Sequence, residues 1–89
     1  METPILFTLS SCVKCGFAKE SLEEAGIEYR EIELSPLQKQ WTPTQWHLVN
    51  KYDVKDDIEK TAPVLAVSED DHYIGCLAIR QYARYHKRK

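Results

Sequence analysis

The feature that most restricts this chain is a pair of cysteines with two residues between them, Cys12-Val13-Lys14-Cys15, set where an apolar run gives way to helical spacing. The run Pro4-Ile5-Leu6-Phe7-Thr8-Leu9 is rich in β-favouring residues, and Ser10-Ser11 behind it can cap a helix, so a strand and then a helix start are predicted. Over residues 13–25, Ala18, Leu22 and Ala25 share one stripe, Glu20, Glu23 and Glu24 lie off it, and Gly26 stands just past the end as a C′ residue. Residues 27–34, Ile27-Glu28-Tyr29-Arg30-Glu31-Ile32-Glu33-Leu34, alternate apolar with charged, the pattern of a strand with one buried face, and Ser35-Pro36 closes it. A C-x-x-C that opens the helix of a β-α-β unit is the context in which such a pair reads as redox-active.

The chemistry follows from position. At the helix edge, the Cys12 sulfur meets unpaired backbone N–H groups and the positive end of the helix dipole, both of which favour a thiolate, and Lys14 adds a nearby positive charge. Cys15 returns to the same helix face, so it can attack a mixed disulfide formed at Cys12 and release the reduced substrate. Two other readings stand beside this one. The pair can be two small hydrophobes, or half of a zinc or cluster site in a non-catalytic binding module. Structural zinc wants four ligands, however, and the chain has no second C-x-x-C and no H-x3-5-H, while His47, His72 and His86 are scattered. Cys76, the third of three cysteines, lies 61 residues beyond Cys15 and reads as a packed, dispensable small residue, and an odd count of three excludes a disulfide scaffold.

Further along, Thr42-Pro43-Thr44-Gln45 offers an N-cap, a proline at the first helical position and a glutamine three residues after the cap, which predicts a helix over 43–52. Residues 53–60 read as a charged connector. Thr61-Ala62-Pro63-Val64-Leu65-Ala66-Val67 is a buried-type strand opened by a proline, Ser68-Glu69-Asp70-Asp71 a solvated turn, and His72-Tyr73-Ile74 the return strand. After Gly75, residues 76–86 are helical by spacing, with basic residues gathering toward the C-terminal end. The order is β-α-β-α-β-β-α without repeat or linker, a single domain over residues 1–89. Trp41 and Trp46, five residues apart, read as packing groups, and His86-Lys87-Arg88-Lys89 as a solvated tail.

Composition removes whole classes. Twelve basic against 14 acidic residues leaves a net charge of −2, which is no footprint for nucleic acid. The longest apolar run, 62–67, is far short of the ~20 residues of a membrane span. Met1-Glu2-Thr3-Pro4 places an acid where a signal peptide carries positive charge. The expectation is a monomer in the cytoplasm that binds neither nucleic acid nor membrane.

Taken together, Cys12-Val13-Lys14-Cys15 after the first strand, Thr61-Ala62-Pro63-Val64 at the third and Tyr73-Ile74-Gly75 before the last helix make the chain resemble the glutaredoxin family over nearly its whole length. That resemblance implies the α/β thioredoxin fold, a four-stranded mixed sheet flanked by three helices, and a dithiol-disulfide oxidoreductase that binds no cofactor beyond its own Cys12-Cys15 disulfide. It further implies a cis bond before Pro63 and substrate binding at the Ala62 backbone, with Pro63, Gly75 and Lys14 around the thiols. Within the family, Ala25-Gly26-Ile27-Glu28-Tyr29 and Asp71-His72-Tyr73 are most similar to the glutaredoxin-like redoxins that supply electrons to certain ribonucleotide reductases and are reduced by thioredoxin reductase. Members that use glutathione usually carry a lysine, a second glycine and a small polar residue with aspartate where this chain has Leu9, Cys76 and Leu77-Ala78-Ile79. The electron source is therefore glutathione or a thioredoxin reductase, and these residues tilt the expectation toward the reductase.

Overall fold

β1 (Ile5–Leu9) is the strand around which the rest is arranged in the structure, a computed structural model that describes residues 3–10 and 12–87. It pairs in parallel with β2 (Arg30–Leu34) and antiparallel with β3 (Val64–Ala66), which pairs antiparallel with β4 (His72–Ile74), giving the order β2-β1-β3-β4. The sheet is mixed and four-stranded, as expected. Because side chains alternate across a strand, β1 sends Ile5 and Phe7 to one face and Leu6 to the other, and all three are buried. A central strand covered on both faces reads as a continuous apolar run, which is what residues 4–9 show.

On one face lie α1 (Val13–Glu24) and α4 (Cys76–Tyr85), which pack against each other through Ala18, Leu22, Ile79 and Ala83 over Leu6 and Leu65. Ala25 closes α1, and Gly26 takes the left-handed conformation (φ 70°) expected of a C′ residue. The opposite face is covered by α2 (Pro43–Tyr52) and α3 (Lys55–Lys60), whose Val49, Tyr52, Val54 and Ile58 meet Phe7, Leu34 and Val64. The Thr42 cap forms as read: its hydroxyl accepts from the Gln45 N–H at 3.1 Å while Gln45 Oε1 accepts from the Thr42 N–H at 2.9 Å.

Three local expectations change. Residues 53–60 are not an irregular connector, because α3 occupies most of them and adds a helix to the three expected. Its buried pair Val54 and Ile58 is spaced i, i+4, and Asp56 and Asp57 sit in its first turn where the dipole favours acids. A short 3-10 turn, Gln38–Gln40, also precedes α2. The second strand starts at Arg30 rather than Ile27, since the apolar phase slips: Ile27 and Tyr29 pack toward α1 and α4, whereas Ile32 and Leu34 pack toward α2 and α3. Trp41 is buried with Nε1 donating to the Ser35 carbonyl at 2.7 Å, and its ring lies 4.7 Å from that of Trp46, so the pair packs the α2 layer. The acidic turn residues Glu69, Asp70 and Asp71 are exposed, and Arg88 and Lys89 of the basic tail lie outside the described residues.

Candidate active site

The two cysteines of the C-x-x-C occupy different environments within one turn of helix. Cys12 is itself the N-cap of α1: its backbone is extended, and its Sγ accepts a hydrogen bond from the Cys15 N–H at 3.2 Å. The cap thus comes from Cys12; Ser11, one of the two serines expected to cap, lies outside the described residues. A sulfur in that position takes one of the N–H groups that no helical carbonyl can reach. Cys12 is half-buried, whereas Cys15 is 3% exposed beneath it. Burial, followed by the hydrogen bond to Cys12, pushes the Cys15 thiol up to about 12, against a smaller opposing pull from the Leu9 backbone and the Lys19 ammonium. The accessible sulfur is therefore Cys12 and the protonated, sheltered one Cys15.

The remaining expected residues are brought to the same end of the sheet. The Ala62–Pro63 bond is cis, and Pro63 is buried while Ala62 is half-buried. Phe7 pairs with Val64 in the antiparallel register, so the Ala62–Pro63 bond just before Val64 lies at the end of β1 that leads to Cys12. Gly75 donates its N–H to the Pro63 carbonyl at 2.8 Å and holds φ at 89°. A Cβ there would stand 3.4 Å from Thr61 Cγ2, so backbone conformation more than space reserves the position for glycine. Lys14 is exposed in the first turn of α1.

Several groups escape a reading of the sequence. A cleft of about 350 Å³ beside the thiols is lined by Cys12, Cys15, Thr8, Lys19, Glu31 and Glu33, with Leu9, Val13 and Gly16. In it the buried Thr8 donates its hydroxyl to Glu31 Oε2 at 2.9 Å, and Lys19 Nζ lies 3.1 Å from the same oxygen. The signal was present but indirect. Lys19 is four residues after Cys15 on the helix, and a parallel β1–β2 pairing puts Thr8 and the odd-numbered acids of β2 on the α1 side.

Neither protein-family models nor curated proteins match the chain. Solved structures do. The glutaredoxin grx-1 from Archaeoglobus fulgidus is similar with a TM-score of 0.58 and 21% identity, over 84% of this chain and 76% of that one. Glutaredoxin 1 from Francisella tularensis, in complex with cacodylate, is similar with a TM-score of 0.57 and 20% identity, over 92% of each chain. The chain has the glutaredoxin fold.

Within this glutaredoxin fold, Cys76 at the start of α4 is half-buried rather than fully enclosed, and lines a second cleft with Phe17, Leu77 and Arg80. It packs against the α1–α4 core, and no metal-holding group of three or more His, Cys, Asp or Glu side chains occurs among the described residues. Exchange between two thiols needs no third, so Cys76→Ala is expected to keep most of the turnover of a disulfide substrate. A loss of tenfold or more with the fold intact would point to a three-thiol pathway.

Proposed function

We propose that this chain is a dithiol-disulfide oxidoreductase, an electron carrier that reduces protein disulfides through Cys12 and Cys15. The observation that carries this reading is the asymmetry of the pair: an accessible sulfur capping a helix, over a buried thiol one turn on. Cys12 attacks one sulfur of the substrate disulfide, the substrate's other sulfur leaves as a thiolate, and Cys15 then attacks the mixed disulfide, which yields the Cys12-Cys15 disulfide and the fully reduced substrate. The Ala62 backbone supplies the edge along which an extended substrate segment lies, with Pro63 and Gly75 shaping that edge and Lys14 available to an acidic group. No cofactor is needed for these steps, because the cysteine pair holds the two electrons itself.

The same reading assigns the electron source to a protein such as thioredoxin reductase. Glutathione carries two carboxylates and an ammonium group, and a site built for it presents charge and polar caps beside the thiolate. Here Lys14 is the one exposed cation between the cysteines, and large apolar side chains on α1 and α4 stand free: Val13 is 74%, Phe17 58% and Leu77 71% exposed. Val13 and Phe17 share a helix face, and Phe17 and Leu77 border one cleft. Exposed apolar groups on the helix that carries the thiols and on its neighbour α4 favour a protein surface over a charged tripeptide. Ribonucleotide reductase, with its disulfide, fits as acceptor, and the location consistent with such partners is the cytoplasm, with the chain acting as a monomer.

The test is turnover of one disulfide substrate with each reductant at matched driving force. Thioredoxin reductase is expected to support it, and glutathione to fall behind by about tenfold or more for want of partners to its carboxylates. Efficient glutathione-dependent turnover without response to the reductase would remove this assignment. The competing reading, a module that holds zinc or a cluster, is separated by metal analysis: a stoichiometric metal on reduced protein would favour it.

A further inference from the structure

The cleft beside the thiols is lined by Cys12 and also by Cys15, the sulfur a substrate does not meet first. Three charged groups line it besides the cysteines: Lys19 from α1, and Glu31 and Glu33 from β2, while β1 contributes Thr8 and Leu9, which do not titrate. Glu31 is fixed by the Thr8 hydroxyl, itself 1% exposed, and in turn fixes Lys19, whose ammonium lies 3.1 Å and 3.4 Å from the two carboxylate oxygens. The ammonium is thus tied down on the side of α1 that carries Cys15, one turn further along the helix.

We infer that Lys19, held in this cleft by Glu31 and Thr8, is a positioning residue for the resolving half of the exchange: its charge favours the Cys15 thiolate, and the two glutamates oppose it. The inference rests on the dithiol reading above. In the mixed disulfide, Cys12 no longer carries a thiol or thiolate, so its hydrogen bond and its charge both cease to hold the proton on Cys15. What remains is burial, which disfavours the thiolate, set against the Leu9 backbone and the fixed cation of the cleft, of which the cation is the one a side-chain substitution can remove. The step balances. The Cys15 thiol gives its proton to cleft water, the thiolate attacks Cys12 Sγ, and the Cys12–Cys15 bond forms as the bond from Cys12 to the substrate sulfur breaks. The substrate leaves with that electron pair and takes up a proton from water.

The experiment follows release of the coloured thiolate from an aromatic disulfide, 5,5′-dithiobis(2-nitrobenzoate), by stopped flow across pH. Attack by Cys12 releases the first equivalent and attack by Cys15 the second, with the signal of Cys76 subtracted through a protein lacking Cys12 and Cys15. Lys19→Met is expected to raise the pH midpoint of the second phase by about half a unit, slowing it about threefold near neutrality, a modest effect because the pair is partly open to solvent. Lys19→Arg is expected to restore the midpoint. Glu33→Gln, which removes an opposing charge of the cleft and leaves the Glu31 tether in place, is expected to lower it. A merely structural ion pair would not respond to Glu33, which it does not include. An unchanged second phase in Lys19→Met, or an upward shift in Glu33→Gln, overturns the inference. A parent protein that releases no second equivalent beyond the Cys76 signal overturns the dithiol reading itself.

Discussion

Cys12→Ser is expected to reduce disulfide turnover to background, because oxygen in place of sulfur cannot form or exchange a disulfide. The substitution isolates chemistry from folding. Cys12 caps α1 through its side chain, and serine is among the preferred N-cap residues, so the helix start should survive. Cys15→Ser should behave differently: the first attack remains, the resolving thiol is gone, and a mixed disulfide accumulates on Cys12. Mass spectrometry of the trapped adduct, with thermal melting as a check on folding, reads both variants. An adduct carried by Cys15 in the Cys12→Ser protein would reverse the two roles.

The parts of this site legible in the sequence are those in which local spacing decides the outcome. Cys12 and Cys15 lie one turn apart whatever the rest of the chain does, and the Thr42, Pro43 and Gln45 cap is complete within four residues. Three short motifs placed in order carry the resemblance that implies the glutaredoxin fold. What escaped depends on contacts distant in sequence. α3 shows only Val54 and Ile58 among charges, two apolar positions that identify a helix once Phe7 and Leu34 are known to lie across from them. The alternation over residues 27–34 does not show that Ile27 and Tyr29 serve one face and Ile32 and Leu34 the other, which the layers on either side set. The Thr8, Lys19 and Glu31 cluster draws on three elements, and no spacing rule spans β1, α1 and β2.

The two faces of the sheet also separate stability from chemistry, and Phe7→Ala tests that separation. Phe7 is fully buried on β1, faces α2 and α3, and meets the Tyr52 ring edge-on with centroids 6.2 Å apart. Truncating a buried phenylalanine costs about 3–5 kcal/mol through lost burial and the cavity left behind. Since a domain of this size is stable by roughly 5–15 kcal/mol in total, the variant should lose a substantial share of its stability. Each kcal/mol lowers the melting temperature of a domain this small by about 4–8 °C, so a fall on the order of 20 °C is expected. Leu37→Ala, at a side chain already 52% exposed, should stay within about 0.5 kcal/mol of the parent. The thiols lie with α1 on the other face, so Phe7→Ala should keep its turnover per folded molecule at low temperature and lose it only as the fold melts. A melting temperature within a few degrees of the parent would mean that the α2–α3 layer closes over the cavity, and that the sheet depends on this face less than its burial implies.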